Sequence, residues 1–391
     1  MALHDDVHAH AHTVTAGAGA HEAPPTKTEK LPAEEEVTEV APGVLRMQLP
    51  IHLPGLGHVN CYALEDEDGV AVVDPGLPNP EEFDALVERL RSVGIPIERV
   101  HTVVVTHSHP DHFGGAGRLR LMNGARVVAH RDFRTIFDPF DDDSAELFDA
   151  VAPKIDDEGF DPARFGEYLM SEDAIPDIPG RRAPWGGQIP FPSREEITYM
   201  RTWDELTKQG FMSPQPTHRV DDAQVIRLGR KEWVAVHTPG HTGDHLCLFE
   251  PTDGILLSGD HVLPTITPHI SGLAASDDSL RDYVEALEKV AGLDGVRHVL
   301  PAHGTPFTDL GARVDDIKRH HHERLELLVQ IARQIGTADV VEFSHHLFQE
   351  RSWGSMAESE TYAHLEHMRH AGQAVAERDE DGRLLYRFVA D

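Results

Sequence analysis

The sequence predicts an α/β fold with one large domain of alternating strands and helices, a long insertion and a small C-terminal domain. Short β-branched runs such as Val103-Val104-Val105 are typical of buried strands. They alternate with helical stretches at 81–93 and 278–291, an order that is typical of helices packed outside a sheet. The chain has 391 residues, 40% of them hydrophobic, so it can bury a large core beneath those helices.

The most informative motif spans residues 106–112, directly after a β-branched run. It reads Thr-His-Ser-His-Pro-Asp-His, and its four potential metal ligands are His107, His109, Asp111 and His112. Alternate residues of an extended segment point the same way, so His107 and His109 can face one ion. The turn that follows can direct Asp111 and His112 to a second ion. Imidazole and carboxylate are ligands of zinc, with iron and manganese as competitors.

Other apolar runs also lead into loops that carry His or Asp beside Gly. These loops contain His241, Asp260 and His303, and upstream Asp74. In a chain with 28 His, a single His is weak evidence for a metal site. The repeated position at strand ends is stronger evidence, because an open sheet presents its binding loops there. Asp74 can hydrogen-bond a ligand His and so orient its ring.

This ordered set of residues resembles the metallo-β-lactamase superfamily over about residues 40–310. The resemblance implies an αββα sandwich, in which two mixed sheets face each other and helices cover both outer faces. It also implies two Zn²⁺ ions per chain, with Fe or Mn as alternatives. The ligands would be His107, His109 and His241 for the first ion, Asp111, His112 and His303 for the second, and Asp260 as a bridge between them.

Such a dinuclear site predicts a hydrolase that uses a hydroxide held between the two ions. Asp111 is the catalytic candidate, because a ligand carboxylate can orient that hydroxide or carry its proton. We expect a small ester, thioester, lactone, amide or activated ether as the substrate. A metal-dependent endoribonuclease or other nuclease is the alternative, and a non-enzymatic metal-binding protein is a third class. A periplasmic enzyme that degrades antibiotics is not expected, since no secretory signal is recognisable.

The other histidines are interpreted as supporting or surface residues. Three of them neighbour the ligands within the same loops and are expected to support them: His237, His245 and His261. His269 is a candidate for the substrate pocket. The run at 320–322 lies in a helical pattern and is expected on a solvated face, although three consecutive residues cannot share one face.

Composition restricts the partners and the compartment. A formal net charge of −32 favours solubility and disfavours polyanionic partners, so we expect a small-molecule substrate and no nucleic acid. No apolar stretch reaches the length of a membrane span, and the start of the chain does not resemble a signal peptide. The cytoplasm is therefore the expected location. Cys61 and Cys247 lie in apolar strands, which predicts buried free thiols rather than a disulfide.

Domain boundaries follow changes in composition. Residues 1–38 are rich in Ala, His, Glu and Pro and are expected to form a tail that is disordered or lies against a neighbour, which leaves 39–310 for the catalytic domain. The distance in sequence between His112 and His241 indicates an insertion at about 138–215. Long segments of this kind are often lids or binding loops, and a packing or dimer contact is the alternative. As a lid it would line the substrate pocket with its aromatic residues, Phe160, Phe165, Tyr168, Trp185 and Phe191.

Residues 311–391 are expected to form a separate small domain. The predicted elements are helices at 310–335, 338–348 and 359–371 and a hairpin at 374–389. This order resembles a winged helix, and the endoribonuclease-like branch of the superfamily is similar in carrying such a unit. The segment holds 10 Lys and Arg against 15 Asp and Glu, which is the wrong sign for binding phosphates. We therefore expect it to cover the active site or to form a homodimer.

Overall fold

The computed structural model describes residues 26–52, 55–135, 137, 181–189, 202–203 and 205–389. The first half of the described chain contributes strands β1 (Thr38–Ala41), β2 (Val44–Pro50), β3 (His58–Glu65), β4 (Val70–Val73), β5 (Val100–Val104), β6 (Arg126–His130), β7 (Arg181–Arg182), β8 (Gln188–Ile189) and β9 (His218–Val220). Its helices are α1 (Pro80–Ser92), α2 (Pro110–Phe113) and α3 (Ala116–Asn123).

These strands form a mixed sheet in the order β1-β2-β3-β4-β5-β6-β9, while β7 and β8 pair only with each other within the described residues. Strands β1 to β4 are antiparallel, and β4, β5, β6 and β9 run parallel. The carboxyl ends of β4, β5 and β6 therefore meet at one edge, which is where Asp74 and the motif at 106–112 are located.

A second sheet is built from β10 (Val225–Leu228), β11 (Lys231–His237), β12 (Leu246–Glu250), β13 (Ile255–Gly259) and β14 (His298–Pro301), in that order. Its neighbours are antiparallel except for β13 and β14, which are parallel because helix α4 (Ser279–Ala291) connects them. Asp278 caps this helix by accepting a hydrogen bond from the backbone N–H of Arg281.

The hydrophobic core lies in layers between helices and sheets. Phe83 of α1 packs with Val103 on the outer face of the first sheet. Val104 points the other way and packs with Trp233 of the second sheet, so the two sheets face each other. Tyr283 of α4 then covers the outer face of the second sheet beside Leu256. The order helix, sheet, sheet, helix agrees with the expected sandwich.

The C-terminal unit, residues 310–388, consists of α5 (Leu310–Ile335), β15 (Ala338–Asp339), α6 (Val340–Leu347), α7 (Ser355–His370), β16 (Ala374–Arg378) and β17 (Leu384–Phe388). The strands pair in the order β15-β17-β16. The helices and the hairpin lie close to their predicted positions. The core of the unit includes Trp185 from the insertion, which is only 2% exposed. Trp185 was expected in a substrate pocket, but in the structure it packs in the core of the C-terminal unit.

Two further expectations are corrected by the structure. Residues 26–38, expected within a disordered tail, contain a 3-10 helix at Thr28–Lys30, and the side chain of Glu29 is fully buried. His321, expected on a solvated face, is buried on the face of α5 that carries Ile317 and Leu328, whereas His322 is exposed. One turn separates Ile317 from His321, so the helical period places both side chains inside.

Some expectations lie partly or wholly outside the described residues. These are the tail at 1–25, the insertion at 138–180, and the aromatic residues Phe160, Phe165, Tyr168 and Phe191. Cys61 and Cys247 are buried free thiols, as predicted, and burial raises the pKa of Cys247 to about 12. Among the described residues, no helix has the length and apolar character needed to cross a membrane.

Candidate metal centre

All seven predicted ligands come together at the edge where the strands of both sheets end. Strand β5 leads into the loop of His107, and His109 is the N-cap of the short helix α2, which begins with Pro110. Pro is favoured at the first position of a helix, so Pro110 ends the extended segment and turns the chain there. The helix then carries Asp111 and His112. The second sheet supplies His241, Asp260 and His303 from the loops after β11, β13 and β14.

The first group of donors consists of three imidazole nitrogens beside one carboxylate. Nδ1 of His109 lies 3.0 Å from Nε2 of His107 and 3.1 Å from Nε2 of His241. Asp260 completes this group, whose donor atoms all lie within 4.8 Å of one another. Three nitrogens at this spacing are suited to ligate one cation.

The second group consists of Asp111, His112 and His303. Oδ2 of Asp111 lies 3.4 Å from Nε2 of His112 and 3.5 Å from Nε2 of His303. Asp260 faces both groups, because its Oδ1 is 3.3 Å from Nε2 of His303 while its Oδ2 is 3.6 Å from Nε2 of His241. Its position is the one expected of a bridging carboxylate.

In His241 and His303, the Nδ1 atom that points away from the site makes a hydrogen bond that fixes the direction of the Nε2 atom. Nδ1 of His241 donates to the carbonyl of His269 at 2.7 Å, and Nδ1 of His303 donates to the carbonyl of His58 at 2.7 Å. In the neutral rings Nε2 then carries a lone pair directed into the site. Nε2 of His303 and Oδ1 of Asp260 are buried without a hydrogen-bond partner in the described part of the chain. Buried polar atoms without a partner, directed into one site, fit a cation that takes the place of protons there.

Electrostatics distinguish the two groups in the metal-free protein. Burial and the neighbouring imidazole of His241 lower the pKa of His109 to about 3, which keeps that ring neutral and ready to ligate. Burial disfavours a charged His303, but Asp260 and Asp111 outweigh it and raise the pKa of His303. Burial likewise opposes ionisation of Asp111, but the imidazoles of His112 and His303 lower its pKa to about 2. A divalent ion would replace protons in this second group.

Asp74 holds the second group from behind. Its Oδ2 accepts hydrogen bonds from Nδ1 of His112 at 2.9 Å and from the Thr106 hydroxyl at 2.8 Å, and its Oδ1 accepts from the Thr106 N–H at 2.9 Å. Asp74 itself has a φ of 55°, in the left-handed region. The hydrogen bond to His112 is the contact predicted for this strand-end carboxylate.

Sequence comparison identifies the family. The family model described as the metallo-β-lactamase superfamily matches residues 54–303, which include all seven donors. The chain belongs to the metallo-β-lactamase superfamily. Members of this superfamily are metal-dependent hydrolases, and this chain is one of them.

Three relatives illustrate the range of similarity within the superfamily. The probable metallo-hydrolase YqjP of Bacillus subtilis is 24% identical over 297 residues, which is 72% of this chain and 81% of that protein. A solved metallo-β-lactamase family protein from Thermus thermophilus has a TM-score of 0.67 and 27% identity, covering 90% of this chain and all of that one. A hydroxyacylglutathione hydrolase of Albidiferax ferrireducens is 41% identical over 81 residues, 21% of this chain and 28% of that protein.

The loop of His303 is held by polar residues of β3 that the sequence did not reveal as part of the site. Nδ2 of Asn60 donates to the carbonyls of Pro301 and Gly304, both at 2.8 Å. Nε2 of His58 accepts from the N–H of Gly304 at 3.1 Å. The available signal was a buried strand with polar side chains at alternate positions, 58, 60 and 62, which places them on one face of the sheet.

The N-terminal strap, residues 28–31, crosses the loops that follow Asp260 and His303. The Glu29 carboxylate accepts hydrogen bonds from the backbone N–H of Thr265 at 2.7 Å and of Ile266 at 3.0 Å. Nδ1 of His58 contacts the carbonyl of Leu31 at 2.7 Å. The strap therefore supports the same loops from outside.

The three supporting histidines take different positions. Nε2 of His245 accepts from the backbone N–H of Asp260 at 3.1 Å, so it orients the bridging residue. His237 contacts the Gly243 carbonyl and stacks on His130, with 3.9 Å between ring centroids. His261 is fully buried beside Tyr283. His269, proposed for the pocket, is partly exposed, and its Nδ1 lies 3.5 Å from Oε2 of Glu360 in the C-terminal unit.

Proposed function

We propose that this chain is a dinuclear hydrolase that binds two Zn²⁺ ions, with iron or manganese as alternatives, and cleaves a small acyl substrate. The convergence of seven donors into two groups around Asp260 carries the proposal. Seven ligands exceed the four that one tetrahedral zinc ion uses. The first ion would be held by His107, His109 and His241, the second by Asp111, His112 and His303, and both by Asp260.

Two bound ions would supply Lewis acidity and lower the pKa of a water molecule. Asp111 would then be the proton acceptor, because a buried carboxylate among the donors of the second ion can accept a hydrogen bond from that water molecule. Asp260 keeps the two groups of donors together. Asp74 and His245 fix His112 and Asp260 respectively, so the donors are ordered before substrate arrives.

An ester, thioester, lactone, amide or activated ether is the substrate class that this chemistry fits. Within it, an acyl substrate is favoured by the local similarity to a hydroxyacylglutathione hydrolase. A nuclease is disfavoured by charge, since the net charge of −32 repels a phosphate backbone. We propose that the C-terminal unit is winged-helix-like and serves packing against the catalytic domain and homodimer formation instead of nucleic-acid binding.

Metal analysis and an activity panel test this function together. Purified protein should contain about two equivalents of metal, and a chelator should abolish turnover that added zinc, iron or manganese restores. The panel sets thioesters, lactones and esters beside a single-stranded RNA. We expect turnover of acyl substrates alone. Metal content well below one equivalent with no activation by added ions would refute the dinuclear site, whereas metal-dependent cleavage of the RNA would make the nuclease function the better one.

A further inference from the structure

The C-terminal unit contacts the metal centre through the segment 264–278, which follows Asp260. The decisive atom is the carbonyl oxygen of His269, which accepts the hydrogen bond from Nδ1 of His241. The direction of the His241 imidazole, and hence of its Nε2, depends on where this segment places that carbonyl. Whatever holds His269 therefore also orients a donor of the first group.

His269 is held by a carboxylate from helix α7. Nδ1 of His269 lies 3.5 Å from Oε2 of Glu360, and the other oxygen of Glu360 lies 3.6 Å from Nη1 of Arg324 on helix α5. The side chains are 21%, 14% and 15% exposed for His269, Glu360 and Arg324, so Glu360 and its two partners are largely shielded from water. Salt screens shielded contacts of this kind much less than it screens contacts on the surface.

The rest of the segment follows the same helix. The N–H of Gly272 donates to Oγ of Ser359 at 3.0 Å, and a Cβ on Gly272 would lie 2.6 Å from the carbonyl oxygen of Ser359, so only glycine fits this approach. Nδ1 of His367 lies 3.0 Å from the carboxylate of Asp278. Helix α7 thus contacts the segment at three successive places, and Glu360 is the contact nearest to the metal centre.

We propose that Glu360 is a positioning residue for the metal centre: it holds His269, whose carbonyl fixes the imidazole of His241. The C-terminal unit thereby sets the affinity of the first metal position. This inference rests on the proposed function in one respect, that a metal ion binds between His107, His109 and His241.

The test measures metal affinity without any substrate. Full-length wild-type protein, Glu360→Gln and His269→Ala are stripped of metal and titrated with Zn²⁺ against a chromogenic chelator. Glu360→Gln keeps the size of the side chain and removes its charge. We expect each variant to bind one of the two ions about tenfold more weakly and the other ion normally. This is the low end of the effect of losing an outer hydrogen-bond partner, because His241 keeps the carbonyl of His269 but that carbonyl is no longer held in place. The double variant should bind no more weakly than either single variant, because both changes break one linkage.

Glu366→Gln is the matched control. Glu366 lies on the same helix and pairs with Arg369 at 2.8 Å and with Tyr386, outside the segment 264–278. This variant weakens the C-terminal unit without touching His269, so its zinc affinities should equal those of the wild-type protein. The absorption spectrum of bound Co²⁺ gives a second readout, and only the Glu360 and His269 variants should change it.

The outcomes separate the two proposals. Wild-type protein that binds no metal would refute the proposed function and this inference with it. If the wild-type protein binds two ions and the Glu360 and His269 variants bind both with wild-type affinity, only the positioning role is refuted. The positioning role would also be refuted if Glu366→Gln lost as much zinc affinity as Glu360→Gln. The loss would then come from general destabilisation of the C-terminal unit.

Discussion

The carboxylate of Asp74 lies 2.9 Å from Nδ1 of His112, and both side chains are buried at the carboxyl edge of the first sheet. The carboxylate makes two further hydrogen bonds, to the backbone and the hydroxyl of Thr106. Asp74 thus connects strand β4 with the loop that carries four of the seven donors. Its left-handed backbone is the conformation that places the carboxylate under His112.

Replacing Asp74 should weaken metal binding more than it weakens the fold. Asp74→Asn tolerates the left-handed backbone but lacks one of the acceptor oxygens, so we expect affinity for one of the two ions to fall by about 10- to 100-fold. A chelator competition assay measures this. The control is Asp66→Asn, in the turn before β4 and away from the donors. Zinc affinities of Asp74→Asn equal to those of the wild-type protein would show that His112 needs no such support.

Replacing Asp260 with Ala should remove the second ion and nearly all turnover. Asp260 contacts donors of both groups, so its loss separates them, and we expect turnover to fall by at least about a hundredfold. Bound metal stabilises only the folded state, and at a thousandfold excess over Kd the effect is about 4 kcal/mol. A chelator should therefore lower the Tm of the wild-type protein more than that of the variant. Normal turnover with two ions still bound would exclude Asp260 as the bridge.

Trp185 should contribute to stability through the C-terminal unit. Its indole N–H donates to Glu358 at 3.2 Å and its ring lies 5.2 Å from that of Tyr362, centroid to centroid. Trp185→Ala leaves a cavity in this core and should lower the free energy of unfolding by about 3 to 5 kcal/mol. Trp353→Ala, at a residue of the same unit that is 42% exposed, is the control and should cost far less. A Trp185→Ala protein of normal stability with a changed KM would instead support a lid.

Acid should destabilise the metal-free protein through its buried neutral histidines. Burial lowers the pKa of His364 to about 4, whereas the unfolded chain has a value near 6.5. The unfolded state therefore binds more protons between these values, and stability present above pH 6.5 is lost as the pH falls to 4, on the order of 3 kcal/mol from this group.

Denaturant unfolding at several pH values, with a chelator present, checks this expectation. His364→Gln should make the dependence between pH 6.5 and 4 less steep, because it removes one of the groups that titrate. His322→Gln, at an exposed position of helix α5, should leave the slope of the wild-type protein unchanged. A His364→Gln protein with the wild-type slope would mean that His364 is charged, or accessible to water, in the folded state.

Local patterns in the sequence predicted the α/β sandwich and the side chains that come together at the edge of its two sheets. Helix α5 was expected at 310–335 and spans Leu310–Ile335, because Asp309 caps the start of a long amphipathic period and Gly336 follows its end. The seven donors could be recognised in the sequence because each follows an apolar strand, in a loop that contains glycine. Family order then assigned them to two groups, and those groups are the ones that the structure brings together.

Residues that act across the chain were not predicted. Glu29 lies in a polar segment with nothing to mark it as buried, and its partners, Thr265 and Ile266, are far away in sequence. His321 was placed wrongly for a related reason: its neighbour in space is His364, which another helix supplies, with 3.1 Å between ring nitrogens. Composition reports the average character of a segment, whereas burial of a single polar side chain depends on the partner that tertiary structure provides.

The Glu29 carboxylate and the backbone of Thr265, which it binds, are separated by 236 residues. At typical rates of protein synthesis, a ribosome needs roughly 10 to 50 s to make that stretch. Throughout this time Glu29 lacks the backbone groups that it binds in the folded chain, and the last of the seven donors, His303, is made later still. A complete set of donors is therefore a late product of each round of synthesis, so the proposed two-ion centre would have to take up its metal from the surroundings of a nearly finished chain.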